Sequence, residues 1–234
     1  MNFLKAEWRK LAIINYEINP EILEKYLPKG TELDFYKGKC YVSVVGFMFL
    51  NTKLLGLPIP FHRNFEEVNL RFYVKKKEGN DWKRGVVFIK EIVPKPALSL
   101  VANSVYQEHY ETMPMKNILH EENGELLIKY SWKDKIWHSI EITAENQPLK
   151  MEANSEFEFI TEHYYGFTKK ENKTSEYQVC HPKWDYYLVK NYQLKINFQK
   201  VYGNDFECLN HRKPISVMLA EGSEVEVKTK KYLI

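Results

Sequence analysis

"FEEVNLRFYVKKKEGNDWKRGVVFIKEIV", residues 65–93, reads as two strands folded back on each other, 65–77 and 82–93, around the polar tip "EGND". Successive side chains of a strand point to opposite faces. One face of the first arm carries Glu66, Val68, Leu70, Phe72 and Val74 and is mostly core. The other carries Glu67, Asn69, Arg71 and Tyr73. Solvent is the ordinary fate of such a polar face, and the interior of a barrel is the alternative. Two features favour the interior: no Lys appears in this arm before position 75, and Asn69, Arg71 and Tyr73 suit a buried hydrogen-bonded network.

The same pattern extends in both directions. Residues 7–18 read as a strand, and 19–30 as a short helix with Asn19 as N-cap and Pro20 in the first turn. Residues 31–49 form a hairpin around Tyr36-Lys37-Gly38-Lys39. Residues 96–107 predict a helix, and strands follow near 111–120, 125–132 and 135–145. Ser155 and Glu158 form a capping box for a short helix. Strands at 164–169, 175–180 and 184–198 come next, then an ambiguous, helix-like piece at 198–209. Strands 214–220 and 224–230, joined by a turn at Gly222-Ser223, close the chain. About ten strands, few helices and no long linker predict one domain, 1–234. The fold class is mainly β (α+β), an antiparallel barrel or sandwich with a few short helices. A doubly wound parallel sheet is not expected, because long helices do not separate the strands.

A chain of 234 residues buries roughly 70% of its unfolded surface and needs no staples. The formal charge is only +3 and the basic residues are scattered, which argues against nucleic acid. The longest apolar run, "YVSVVGFMFL" (41–50), is too short to span a bilayer as a helix. The N-terminus is charged too early for a signal peptide, so the glycosylation pattern at Asn172 carries no weight. Cys40, Cys180 and Cys208 are odd in number and far apart, as expected of reduced thiols in a cytoplasm. Neither metal-ligand spacings nor cofactor motifs occur, and the expectation is no metal and no cofactor.

Candidate chemistry lies in three places. Alternation along the first strand puts Arg9 with Leu11 and Ile13, either at the mouth of a cavity or as a cation snorkelling from a strand end. Glu67, Asn69 and Arg71 form the polar face already described. His163, beside Glu162 in "FITEHYYGFT" (159–168), suits a general base or a satisfied structural residue.

Six stretches, among them "EWRKLAIINYEINPEILEKYLPKGTELD", "RGVVFIKEIVPK", "TEHYYGFT" and "ISVMLAEGSEVEV", resemble the YqjF-like bacterial family of uncharacterised proteins almost end to end. That family in turn resembles, distantly, the acetoacetate decarboxylase superfamily. The resemblance implies a closed or cone-like antiparallel β-barrel around an internal pocket, with a few short peripheral helices. It places Arg9, seven residues before Tyr16, and Glu67, in "FEEVNLRFYV", at positions of active-site residues. It also places Tyr110 and Glu111 where the decarboxylases hold two adjacent lysines, with Lys95 and Lys116 outside the pattern. The implied function is binding of a small anionic or carbonyl-bearing metabolite, with Arg9, Glu67, Asn69 and Arg71 as ligand contacts. The alternative is an enzyme of lyase or proton-transfer type that lacks the Schiff-base lysine, with Glu67, Tyr110 or His163 moving the proton. Arg9 and Glu67 are expected to share one cavity, with Tyr110 or another residue of 108–113 on its wall. The partner is a small molecule rather than nucleic acid or membrane, and homo-oligomerisation stays open.

Overall fold

The computed structural model describes residues 2–105, 108–170 and 173–233. The opening hairpin is present as β6 (Phe65–Glu78) and β7 (Asp81–Val93), paired from Val68↔Ile92 to Glu78↔Asp81. Before it come β1 (Asn2–Glu17), β2 (Glu32–Leu33), β3 (Phe35–Tyr36), β4 (Lys39–Leu54) and β5 (Leu57–Pro58). After it come β8 (Tyr110–Thr112), β9 (Met115–Glu122), β10 (Glu125–Lys133), β11 (Trp137–Leu149), β12 (Tyr165–Lys170), β13 (Lys173–Cys180), β14 (Tyr186–Lys195), β15 (Ser216–Lys228) and β16 (Lys231–Leu233). The helices are short: α1 (Pro20–Glu24), α2 (Pro96–Val105), α3 (Glu156–Thr161) and α4 (Phe198–Tyr202). Asn19 caps α1 by accepting from the Glu21 N–H, and Ser155 caps α3 by accepting from the Glu158 N–H. Among the described residues no helix is long and apolar enough to cross a membrane.

Seven strands form a closed ring in the order β13-β12-β7-β6-β4-β1-β15, and β15 pairs back onto β13 through Val179↔Val227 and Cys180↔Glu226. The expected ring is there, and it is antiparallel apart from the β7–β12 contact. A short parallel strand, β8, also lies against β7. From β15 the sheet continues outward through β14, β11, β10 and β9. Two cores result. Ala12, Ile14, Val44, Leu70 and Phe72 pack outward onto Leu126, Tyr130, Trp132, Ile140 and Phe198. Leu11, Ile13, Val45, Phe47, Tyr73 and Val225 pack toward the inside of the ring.

Three irregularities decide which side chains face inward. In β1, Lys10 has φ +54° and the register with β4 slips between Arg9 and Ala12. The extra residue resets the alternation, so Trp8 and Leu11 both point inward. In β4 the inward set changes from Phe47 and Phe49 to Thr52 and Leu54 around Asn51, whose φ is also +54°. In β7 a slip at Ile89 lets Phe88 and Glu91 share the inner face.

Some expectations need correcting. The two strands expected at 214–220 and 224–230 are one continuous strand, β15 (Ser216–Lys228), and not a hairpin turning at Gly222-Ser223. Gly222, with φ +82°, lies opposite Arg9 at the β1 bulge, where a Cβ would sit 1.9 Å from the Trp8 carbonyl oxygen. Helix α1 stops at Glu24, well short of residue 30. The last two residues expected of α2, 106 and 107, and the pattern residue Asn172 lie outside the described residues.

Candidate functional site

The ring encloses a cavity of about 200 Å³. Its walls are mostly apolar, with Trp8, Phe47, Phe49, Phe65, Phe88 and Trp184 prominent. Loop residues Ile59 and His62 and α2 residues Leu98 and Ala102 also line it.

One wall is polar, and the ladder explains why. Asn69 on β6 is the register partner of Glu91 on β7, and Glu91 is the partner of Tyr110 on β8. Side chains of directly paired residues lie on the same face, so Asn69, Glu91 and Tyr110 form a row across three strands. Glu67 stands one step along β6. It accepts from Asn69 Nδ2 at 3.0 Å and from the Tyr110 hydroxyl at 3.1 Å. Asn103 on α2 fastens this corner: its Oδ1 accepts from the Tyr110 N–H and its Nδ2 donates to the Tyr110 carbonyl. Glu108 completes the wall, accepting from the Thr168 hydroxyl at 2.6 Å and standing beside Tyr177.

Three buried carboxyls so close together cannot all ionise freely. Burial, partly offset by the bonds from Asn69 and Tyr110, raises Glu67 to about 7. Burial likewise raises Glu108 to about 7 against the bonds from Thr168 and Tyr177. Glu91 is pushed well above the usual carboxylate range by burial and by the charges of Glu108 and Glu67. Arg71, further along β6, is the one guanidinium or ammonium among the described lining residues; its Nη2 donates to the Ile160 carbonyl at 3.4 Å.

A second polar group stands at the His163 end. His163 Nε2 lies 3.2 Å from Asp34 Oδ2, which also accepts from Arg84 Nε at 2.6 Å. Burial holds the imidazole down to about 4, so it is neutral near pH 7. Asp34 ionises more readily than usual, because the bonds from His163 and Arg84 outweigh its own burial. His181, stacked on Trp184 at 4.1 Å, is also held down to about 4 by burial.

Glu67, Asn69, Arg71, Tyr110 and His163 therefore reach one cavity. Arg9 does not. Its guanidinium donates to Glu7 Oε2 at 2.7 and 2.9 Å and lies 3.6 Å from Glu221, outside the cavity. The expectation of a shared Arg9–Glu67 cavity is corrected: uninterrupted alternation placed Arg9 with Leu11, and the bulge at Lys10 separates them. Glu91, Asp34 and Trp8 were missed in the sequence. For Glu91 and Trp8 the cause is the same, since bulges moved them onto the inner face. Asp34 gave no signal, because it meets His163 only through long-range packing.

Several cavity-lining groups bury a polar atom with no hydrogen-bond partner in the protein: Trp8 Nε1, Thr52 Oγ1, Asn69 Oδ1, Arg71 Nε, Glu91 Oε2 and His163 Nδ1. Such atoms are costly to bury unpaired. The cavity thus offers donors and acceptors, set in apolar walls, to whatever enters it.

Comparison with known proteins places this geometry in context. The family model DUF2071, described as an uncharacterized conserved protein, matches residues 5–224. The uncharacterized protein YqjF of Bacillus subtilis (strain 168) is 28% identical over 203 residues, 85% of this chain and 79% of that protein. Among solved structures, acetoacetate decarboxylase from Legionella pneumophila is similar with a TM-score of 0.67 and 15% identity, covering 99% of this chain and 87% of its own. The enduracididine biosynthesis enzyme MppR complexed with pyruvate is similar with a TM-score of 0.69 and 9% identity, covering 100% and 91%. At these identities the structural likeness shows the fold alone.

Proposed function

The chain belongs to the DUF2071 family of uncharacterized conserved proteins, and from that premise we propose that it binds a small, largely apolar, carbonyl-bearing molecule inside the β ring. The observation that carries this reading is the set of unpartnered polar atoms on the cavity wall. Arg71 Nε–H and Trp8 Nε1–H are donors with nothing to donate to, and a carbonyl oxygen would satisfy either. With Arg9 outside, Arg71 is the charge-assisted contact for that oxygen. Solved structures of the same fold include a complex with pyruvate, a carbonyl compound, which supports the reading by analogy only. Three free cysteines favour a reducing compartment, and the cytoplasm is the proposed location.

One observation favours a second reading, an enzyme on the same cavity. Glu67 titrates at about 7, which suits a general base near neutral pH. Tyr110, hydrogen-bonded to it, would steady the charge as a proton leaves the carbon next to the carbonyl. The imine route of the decarboxylases lacks its amine, since no lysine lines the cavity among the described residues.

Native mass spectrometry of freshly purified protein tests the proposal. A bound small molecule is expected, and stripping it should lower the melting temperature. If no adduct is seen and no carbonyl compound from a metabolite set raises the melting temperature, the binding reading fails. Turnover of the identified ligand, lost in Glu67→Gln, would move the assignment to the enzyme.

A further inference from the structure

The acceptors on the polar wall say more about the ligand than the donors do. Asn69 Nδ2 is committed to Glu67, which leaves Asn69 Oδ1 buried and unpaired. Its register partner Glu91 leaves Oε2 buried and unpaired on the same face. Paired residues hold their Cβ atoms about 4.5–5.5 Å apart, so the two unpaired oxygens belong to neighbouring side chains of one wall. Glu67 and Glu108 add two carboxyls to the same wall, and the groups facing them are Tyr110 from β8, Thr168 from β12, Tyr177 from β13, Arg71 from β6 and the buried Nζ of Lys230, which follows β15. Three carboxyls against Arg71 and Lys230 leave this wall with uncompensated negative charge when all three ionise. The other walls are aromatic, which suits an organic cation.

We propose that Asn69, Glu91 and Glu67 recognise a positively charged nitrogen, so that the ligand carries a protonated amine, amidine or guanidine on an apolar body. This rests on the cavity-binding reading above and names its substrate class. The N–H groups of such a head fill both Asn69 Oδ1 and Glu91 Oε2, and its charge replaces the protons that the buried carboxyls otherwise hold. Binding therefore releases protons, and affinity rises with pH as the carboxyls ionise. A carboxylate ligand would do the opposite, because it would require those carboxyls to stay protonated.

Three probes of one shape separate the alternatives: benzamidinium, benzoate and acetophenone, titrated by calorimetry into the full chain at about pH 6 and about pH 8. Benzamidinium should bind at least tenfold tighter than benzoate, and tighter at the higher pH. Glu91→Gln should weaken benzamidinium at least tenfold and change acetophenone less than twofold. The ranking and its pH trend use the unaltered protein, so they stand even if the variant does not fold. If benzoate or acetophenone binds and benzamidinium does not, the cation inference is overturned and the cavity reading survives. If none of the three binds, the cation inference also falls, and native mass spectrometry alone then decides the cavity reading.

Discussion

Glu67 is the residue at which the local rules of a strand and the chemistry of a cavity meet. Its ordinary pKa in an unfolded chain is about 4.3, and burial holds it at about 7 in the fold. The neutral form is thus favoured by folding. Its contribution to stability is whole below about pH 4.3 and is lost as pH climbs through 7, by roughly 4 kcal/mol. Glu67→Gln cannot ionise and keeps an acceptor for Asn69 and an amide for Tyr110. The melting temperature of this variant should overtake that of the unaltered protein as pH rises from about 5 to about 8, by roughly 5 °C or more. Parallel thermal melts check this, and a gap that does not change with pH would show that Glu67 is solvated. The inward polar face of Glu67, Asn69 and Arg71 was legible because a half-polar strand without lysine is unusual on a surface. Arg9 and Glu91 were not legible, because nothing in the residue types at Lys10 or Ile89 announces a bulge.

Elements show the same division. The hairpin at 65–93 and the turn at Lys37-Gly38 followed from glycine placement, and Lys37-Gly38, like Asn123-Gly124, has positive φ at both residues as a two-residue hairpin loop needs. Leu55-Gly56 closes an equivalent turn between β4 and β5, but a leucine at positive φ gives no such signal. The β12–β13 pair holds a tighter constraint. Gly166 faces Tyr177, and a Cβ at Gly166 would lie 2.1 Å from Tyr177 Cζ. The absent side chain lets the tyrosine ring lie across the strand and bring its hydroxyl to the Glu108 wall. Gly166→Ala should therefore destabilise the protein by about 1–3 kcal/mol, as overpacking usually does. Urea midpoints measure it, and a loss below about 0.5 kcal/mol would mean that the ring has room to move aside.

At the scale of the whole molecule the ring has the fold of the acetoacetate decarboxylase structures, and among the described residues no lysine lines its cavity. A Schiff base needs a lysine that is neutral near pH 7, and an ordinary lysine titrates near 10.4. Lys90 is ion-paired to Glu111 at 2.6 Å, and Lys116 lies over the Trp137 ring at 4.9 Å, so neither lines the cavity. Incubation with acetoacetate and borohydride should leave the intact mass unchanged. A stoichiometric adduct, abolished by changing one lysine, would refute this and restore the imine route. The closure of the ring has a kinetic consequence as well. β1 is held on one side by β15, with Asn2 opposite Lys228 and Asn15 opposite Ser216. These partners are about as far apart along the chain as the sequence allows, and contacts of that kind form late and slowly. On the ribosome, the first strand must wait for nearly the whole chain to emerge before it finds this neighbour. Until then its apolar inner face and an open sheet edge are available to chaperones or to other nascent chains, and no ligand can hasten the assembly of a cavity whose last wall has not yet been made.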